Sequence, residues 1–425
     1  MADNGGPSRN GFSREASGAS RAAEPEAKRN GFDPQAPERK HWKNLYSEIV
    51  ATEICTACSA CVVACPHHVI DMLNFRPAME DASPVGPFDC VHGEKSCSLC
   101  AMACLRLDAD FDAIERTLYG RRRKHPSEPW GVTRSMMIGR TVSPEIMAHG
   151  QDGGVVTALI GWMLATGELD GAVCAKPRTD VPWLDEPHLA TTPEELLTGA
   201  GSRYTYCSTP LALKMAAERK LKKVAMIGVS CESTAMREMA AEGIKRWSRM
   251  VKFVAGLMCN ETFEYEPFID EIVQRRYGID IARVTKINVK GDVYVTLDDG
   301  TDVRIPLKEC QEFSNEWCHH CPDFAAEHAD ISFGGIGLKG WTMCLIRTEY
   351  GEDVWNRAVA AGIIEARPAE EDPGGLKVLE RLSKKQRFRV GPFEPQAAGR
   401  WPVREVLERV RREALAEYQG AANPE

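Results

Sequence analysis

From about residue 134 onward, apolar and polar positions change in blocks that read alternately as helix and strand. Val155 to Leu164 is an apolar stretch introduced by Asp152-Gly153-Gly154 and stopped by Gly167, which predicts a helix. Gly171 to Ala175 predicts a strand, Pro210 to Arg219 a helix, and Val224 to Gly228 a buried strand. Another helix is expected from about Glu232, and another strand over Val251 to Leu257. Val284 to Val289 and Val293 to Leu297 flank Lys290-Gly291-Asp292 and predict a hairpin, with Asp298-Asp299-Gly300 marking the next turn. This succession predicts a mixed-sheet α/β domain over residues 134–365 with an antiparallel insertion.

The flanks differ. Residues 1–40 are rich in Gly, Ser, Pro, Ala and charge without aromatic periodicity, and read as a disordered leader ending by residue 45. Residues 366–425 form a carboxy-terminal extension. Within it Val403 to Tyr418 predicts a charged amphipathic helix started by Pro402, which caps the core or docks a partner subunit.

Composition narrows the class. The 425 residues allow two or three domains, and a formal net charge of -8 argues against a broad nucleic-acid footprint. The run Arg121-Arg122-Arg123-Lys124 reads as a solvated loop. The sequence shows no apolar run of membrane-spanning length and no signal-peptide core, so a cytoplasmic location is expected. In a reducing compartment, sixteen cysteines point to metal or redox chemistry rather than disulfides.

Eight cysteines lie between residues 55 and 104. Cys55, Cys58, Cys61 and Cys65, followed by Pro66, form C-x2-C-x2-C-x3-C-P, the bacterial ferredoxin run. Three closely spaced thiolates wrap one cubane, and the fourth leaves on a proline-fixed turn toward a second. A zinc site is the alternative for such a run. Cys90, Cys97, Cys100 and Cys104 repeat the pattern with a first interval of six residues, and Leu105 stands where the proline would be. By the crossover rule, Cys55, Cys58, Cys61 and Cys104 hold one [4Fe–4S] cluster, and Cys65, Cys90, Cys97 and Cys100 the other. Residues 46–125 are therefore expected to form a ferredoxin-like domain with two clusters. Val62, Val63, Val69, Ile70, Met102 and Leu105 interleave the ligands as an apolar shell.

Cys231 and Cys259 stand just past predicted strand ends, at the edge where sites assemble in open α/β sheets. Cys318-His-His-Cys321 adds a C-x2-C pair, so these four can form a third site. Alternatively, the first two are buried small hydrophobes and the pair a zinc half-site. Three polar, Gly-rich loops suggest a phosphate-bearing cofactor: Gln151 to Gly154, Gly199 to Tyr204, and Phe333 to Gly337. None is G-x-G-x-x-G, so the usual dinucleotide fold is not indicated.

The order of motifs resembles one family. The double cysteine run is followed by Gly150-Gln-Asp-Gly-Gly-Val-Val-Thr157, Leu169-Asp-Gly-Ala-Val173, Leu189-Ala-Thr-Thr192 and Gly201-Ser-Arg-Tyr204. Gly228-Val-Ser-Cys231, Gly256-Leu-Met-Cys259, Cys318-x2-Cys321-Pro-Asp323, Ala329-Asp-Ile-Ser332 and Gly340-Trp341 come next. Over about residues 50–365 this resembles the family of beta subunits of coenzyme F420 hydrogenases and dehydrogenases, which also includes chlorophyll-metabolism reductases. The resemblance implies a flavoprotein with FAD and iron–sulfur clusters, and strengthens the third cluster with Cys231, Cys259, Cys318 and Cys321 as ligands. It implies flavin contacts at Gln151, Asp152, Gly153, Gly154, Thr157, Ser202 and Tyr204, with Trp341 nearby. Arg203 is expected at a pyrophosphate or acidic substrate, in a catalytic role, with a surface salt bridge as the alternative.

The implied activity carries electrons between coenzyme F420 and [4Fe–4S] clusters, then to a redox partner or a hydrogenase or dehydrogenase large subunit. The other readings are a related reductase of an organic substrate such as a tetrapyrrole, and a carrier without flavin. Two departures stand out: Glu232 follows Cys231 where the family commonly has Gln, and Gly335 follows Gly334 where it often has Asp.

Overall fold

A computed structural model describes residues 39–52, 54–79, 90–107 and 109–389. The leader through residue 38 and the helix expected over Val403 to Tyr418 lie outside the described residues. Thirteen strands are described. A front hairpin pairs β1 (Ile70–Leu73) with β2 (Arg76–Met79). The large sheet takes β3 (Ser135–Thr141), β4 (Gly171–Pro177), β5 (Asp185–Ala190), β6 (Val224–Val229) and β7 (Val251–Leu257). A separate antiparallel sheet holds β8 (Val284–Lys290), β9 (Asp292–Leu297) and β10 (Asp302–Ile305). β11 (Ile331–Gly334), β12 (Thr342–Ile346) and β13 (Ile364–Pro368) complete the large sheet, whose order is β13-β3-β12-β11-β7-β6-β4-β5.

β4, β6, β7 and β11 run parallel, and the remaining four strands pair antiparallel. The parallel strands are nearly continuous apolar runs because both faces are covered. Their side chains divide by the period of two. Ala172, Ala225, Phe253 and Ala255 join the core under the helices Val155–Ala165 and Glu349–Ala360. Val173, Met226 and Val254 face the opposite core. That second core contains Ala235 and Met239 of the helix Ser230–Ala241, and also Trp42, Ile49, Val62, Cys61 and Cys100. The front cysteine region therefore shares its core with one face of the sheet.

The predicted hairpin is present, turning at Gly291 with φ +81°, where only a residue without Cβ sits easily. β8, β9 and the helical stretch Glu266–Arg276 enclose their own core of Phe263, Phe268, Ile287, Val293 and Val295.

Two sequence boundaries shift. The leader was placed through residue 45, yet Trp42–Leu45 is helical, with Trp42 and Leu45 buried in the front core. The α/β domain was ended at 365, yet β13 runs through that point and pairs with β3. A helix, Pro373–Phe388, then packs Leu379 against Ile138 and Met343. The basic run is not wholly solvated. Arg123 is buried and pairs with Glu115 and Glu327, while Tyr119 donates to the Glu327 carbonyl at 2.6 Å. These contacts weld the helix Phe111–Tyr119 to the segment just before β11.

Candidate functional site

The first thiol group is local in origin. Ala57 and Ser59 take left-handed backbone, φ 55° and 57°, and curl the loop between its cysteines. The short helix Ala60–Ala64 follows, held by Val63 N–H donating to the Ser59 carbonyl at 2.9 Å. Cys55, Cys58 and Cys61, with Cys104 from the second run, line a cavity of about 350 Å³. Leu45, Ile49 and Leu105 supply its apolar wall. Burial pushes the Cys58 thiol up to about 11 and the Cys61 thiol well above its ordinary value, with Cys55, Cys58 and Cys104 adding to the shift in Cys61.

A second group gathers around Cys100. Burial pushes Cys100 up to about 12, and its charged neighbours are Cys65, Cys97 and Cys90. Cys90, the residue with the stretched spacing, precedes the short helix Val91–Glu94 and is buried.

The third group is assembled by register. β6 and β7 are parallel with Val229 opposite Leu257, so Cys231 and Cys259 emerge two residues further on the same sheet edge. Cys318 lies in the helix Glu316–His319, and Cys321 N–H donates to the Cys318 carbonyl at 3.2 Å. All four line a cavity of about 330 Å³ with Tyr206, Asn260 and Thr262. The Tyr206 hydroxyl lies 3.7 Å from the Cys231 sulfur, and the Thr262 hydroxyl 3.6 Å from that of Cys318. Burial, then Cys318 and Cys321, push the Cys259 thiol far up.

Buried and half-buried thiols with no disulfide among them form a donor set suited to a soft, cationic ligand that holds them deprotonated. Among the described residues, no group of three or more His, Cys, Asp or Glu side chains is placed to hold a single metal ion. The thiols of the first and third groups line cavities instead.

Several residues around these cavities escaped the sequence reading. Thr56 and Arg106 line both the first and the third cavity. Gln386 and Arg389 reach back to the Asn260 carbonyl at 3.2 and 2.8 Å, and Arg389 also donates to the Cys318 carbonyl at 3.0 Å. No spacing rule points to Arg106, Gln386 or Arg389, since each acts through a backbone carbonyl far away in sequence.

The loop residues divide. Gln151 bonds Asn288, Asp152 pairs with Lys290 at 3.0 Å, and the Tyr204 hydroxyl accepts from Val289 N–H at 3.1 Å. The β8 end thus gathers these three. Burial, then Asp152 and Cys259, push Tyr204 up to about 12, which sets it between loop and thiol site. Gly153 N–H donates to the Thr342 hydroxyl at 3.2 Å. A Cβ at Gly153 would stand 2.6 Å from the Gly139 carbonyl. The helix Val155–Ala165, with half-buried Thr157 in its first turn, starts at Gly154 without a side-chain cap.

Arg203 turns elsewhere. It donates to the Ala200 carbonyl at 2.7 Å and lies 3.5 Å from buried Asp185, with Ser202 half-buried beside it. Trp341 is stacked by Arg140 and Arg367, at 4.5 and 4.6 Å. The two departures have local reasons. Glu232 accepts from Val229 and Thr209 N–H groups at 3.0 and 2.8 Å, and burial pushes it up to about 8. A Cβ at Gly335 would fall 1.7 Å from an Asp152 carboxylate oxygen, so the Asp152 side chain fills that space instead.

Fold and site define a mixed-sheet α/β protein that gathers thiols at the carboxyl edge of its parallel strands. The chain belongs to the family of coenzyme F420 hydrogenase/dehydrogenase beta subunits: residues 136–214 match its N-term description and 221–372 its C terminus. The front eight cysteines precede both matched segments. The chain is 34% identical over 252 residues to coenzyme F420 hydrogenase subunit beta of Methanosarcina barkeri, covering 58% of this chain and 86% of that one. It is 32% identical over 262 residues to coenzyme F420 hydrogenase subunit beta of Methanothermobacter thermautotrophicus, covering 60% and 92%. A chain of the F420-reducing [NiFe] hydrogenase complex from Methanosarcina barkeri aligns with TM-score 0.60 at 32% identity, covering 63% of this chain and 92% of that one. No described helix is long and apolar enough to cross a membrane.

Proposed function

We propose that this chain is an iron–sulfur flavoprotein exchanging electrons between coenzyme F420 and a partner protein, with a ferredoxin-like front region. The observation that supports it most is the gathering of twelve cysteines into three groups of four, two of them around adjacent cavities. The names of the relatives support coenzyme F420 as the redox partner. When bound, the clusters supply one-electron carriage, and FAD supplies exchange between a hydride and single electrons.

The chain's own residues do the holding. The front and sheet-edge thiols would hold the clusters in the three sets named above. Apolar Leu45, Ile49 and Leu105 exclude water from the first, and Tyr206 and Thr262 offer hydroxyls to sulfur in the third. The uncapped amides of the helix Val155–Ala165, with Thr157, suit an anionic phosphate. Gln151, Asp152 and Tyr204 brace that loop against β8. Arg203 would reach a pyrophosphate by leaving Asp185, and Trp341 offers an aromatic face held by two arginines.

Anaerobic purification tests the proposal. The expected product is brown, carries iron, sulfide and flavin, and has its flavin bleached by reduced coenzyme F420 but not by NADH. Iron without flavin would leave a pure carrier. Bleaching only by another organic donor would favour the related reductase. A folded, colourless, iron-free protein would refute the proposal outright.

A further inference from the structure

Arg106 follows Cys104 by two residues and is 4% exposed. It lines both the cavity of Cys55, Cys58, Cys61 and Cys104 and that of Cys231, Cys259, Cys318 and Cys321. Its guanidinium donates to the His320 carbonyl at 2.7 Å and reaches the Trp317 carbonyl at 3.4 Å. Those carbonyls immediately precede Cys321 and Cys318, so the fork fixes the loop that presents two thiols. Its Nε is buried with no hydrogen-bond partner. Among the described residues no carboxylate lies within ion-pair distance of it, and the thiols on which its charge acts, Cys55 and Cys321, belong one to each site.

A buried cation without a carboxylate is costly unless other anions compensate it. Here the candidates on either side are the two thiolate sets. We infer that Arg106 is their common counter-ion and positioning residue, and that its fixed charge raises the reduction potential of both sites together. A reduced site carries one more negative charge than an oxidised one, so a neighbouring cation favours reduction. The group formed by Cys65, Cys90, Cys97 and Cys100 is expected to respond least. The inference rests on the proposal that these groups hold clusters.

The test is an anaerobic redox titration of the full chain, followed by electron paramagnetic resonance, on wild type, Arg106→Met and Arg106→Lys. Signals are assigned with Cys58→Ser, Cys97→Ser and Cys259→Ser, each lacking one site. In Arg106→Met, both flanking sites should become harder to reduce by at least tenfold in the one-electron equilibrium, about 59 mV. Arg106→Lys should stay near wild type. If the Met variant loads less iron, loss confined to the two flanking sites and restored by Lys supports the counter-ion role. Full loading with wild-type potentials in the Met variant overturns it, as does a Lys variant that fails as badly as Met. Wild-type protein that binds no iron would defeat the functional proposal instead.

Discussion

The two cavities on either side of Arg106 are built by opposite means. In the front cavity, three of four thiols lie within seven residues, and the loop's left-handed turns at Ala57 and Ser59 aim them inward. In the sheet-edge cavity, Cys231 and Cys259 are neighbours only because β6 and β7 pair in parallel, and Cys318 and Cys321 arrive on a segment after the separate small sheet. The front site is encoded by spacing, the other by register. The first takes its shape from neighbours in sequence, and the second from segments far apart in sequence.

The sharpest way to break that contrast is to ask how independent the front region is. Its core is continuous with one face of the sheet, and Arg123 sits buried between Glu115 and Glu327. Arg123→Met leaves two buried carboxylates with a lost partner, and should destabilise the chain by about 3–5 kcal/mol in urea unfolding. A cost below about 1 kcal/mol would mean that the front region stands on its own, and spacing alone would then describe it.

Iron content sharpens the contrast next. Cys58→Ser should lose about four irons per chain and leave the other eight and the flavin in place. Thr262→Val removes the hydroxyl beside Cys318 and leaves the Asn315 amide without its acceptor at 2.9 Å. It should weaken iron retention at the sheet edge alone, by less than a full cluster. Unchanged iron in Cys58→Ser would refute the front ligand assignment.

The same contrast accounts for what could be read in advance. Strands such as Val251–Leu257 and the hairpin around Gly291 were legible because apolar runs and turn residues are local signals. The two front groups of cysteines were legible for the same reason. The ends of the domain were not: Trp42–Leu45 and Pro373–Phe388 are mixed stretches fixed by what they pack against. Arg106, Gln386 and Arg389 were invisible because they act on carbonyls across the fold. Arg203 is read from sequence as a functional cation, yet its acidic partner, Asp185, lies on a strand with no motif around it.

Asp185 gives the smallest and most specific test, because it decides whether Arg203 is engaged or free. Both its carboxylate oxygens are buried without a hydrogen-bond partner, and burial pushes it up to about 6 although Arg203 pulls it down. A carboxyl raised in the folded state favours its protonated form there. Its contribution is therefore fully present below the ordinary carboxylate value near 4 and is lost as pH rises to about 6. Across that window wild type should lose about 2–3 kcal/mol relative to Asp185→Asn, with parallel curves above it. Arg203→Met should extend the loss to higher pH, since the remaining attraction on the carboxylate is gone. Urea midpoints between pH 4 and 7 measure all three chains. If wild type and Asp185→Asn run parallel throughout, the carboxylate is solvated or already neutralised, and Arg203 is held by its Ala200 contact rather than by Asp185. A ligand phosphate at Arg203 should then bind without any change in Asp185 ionisation.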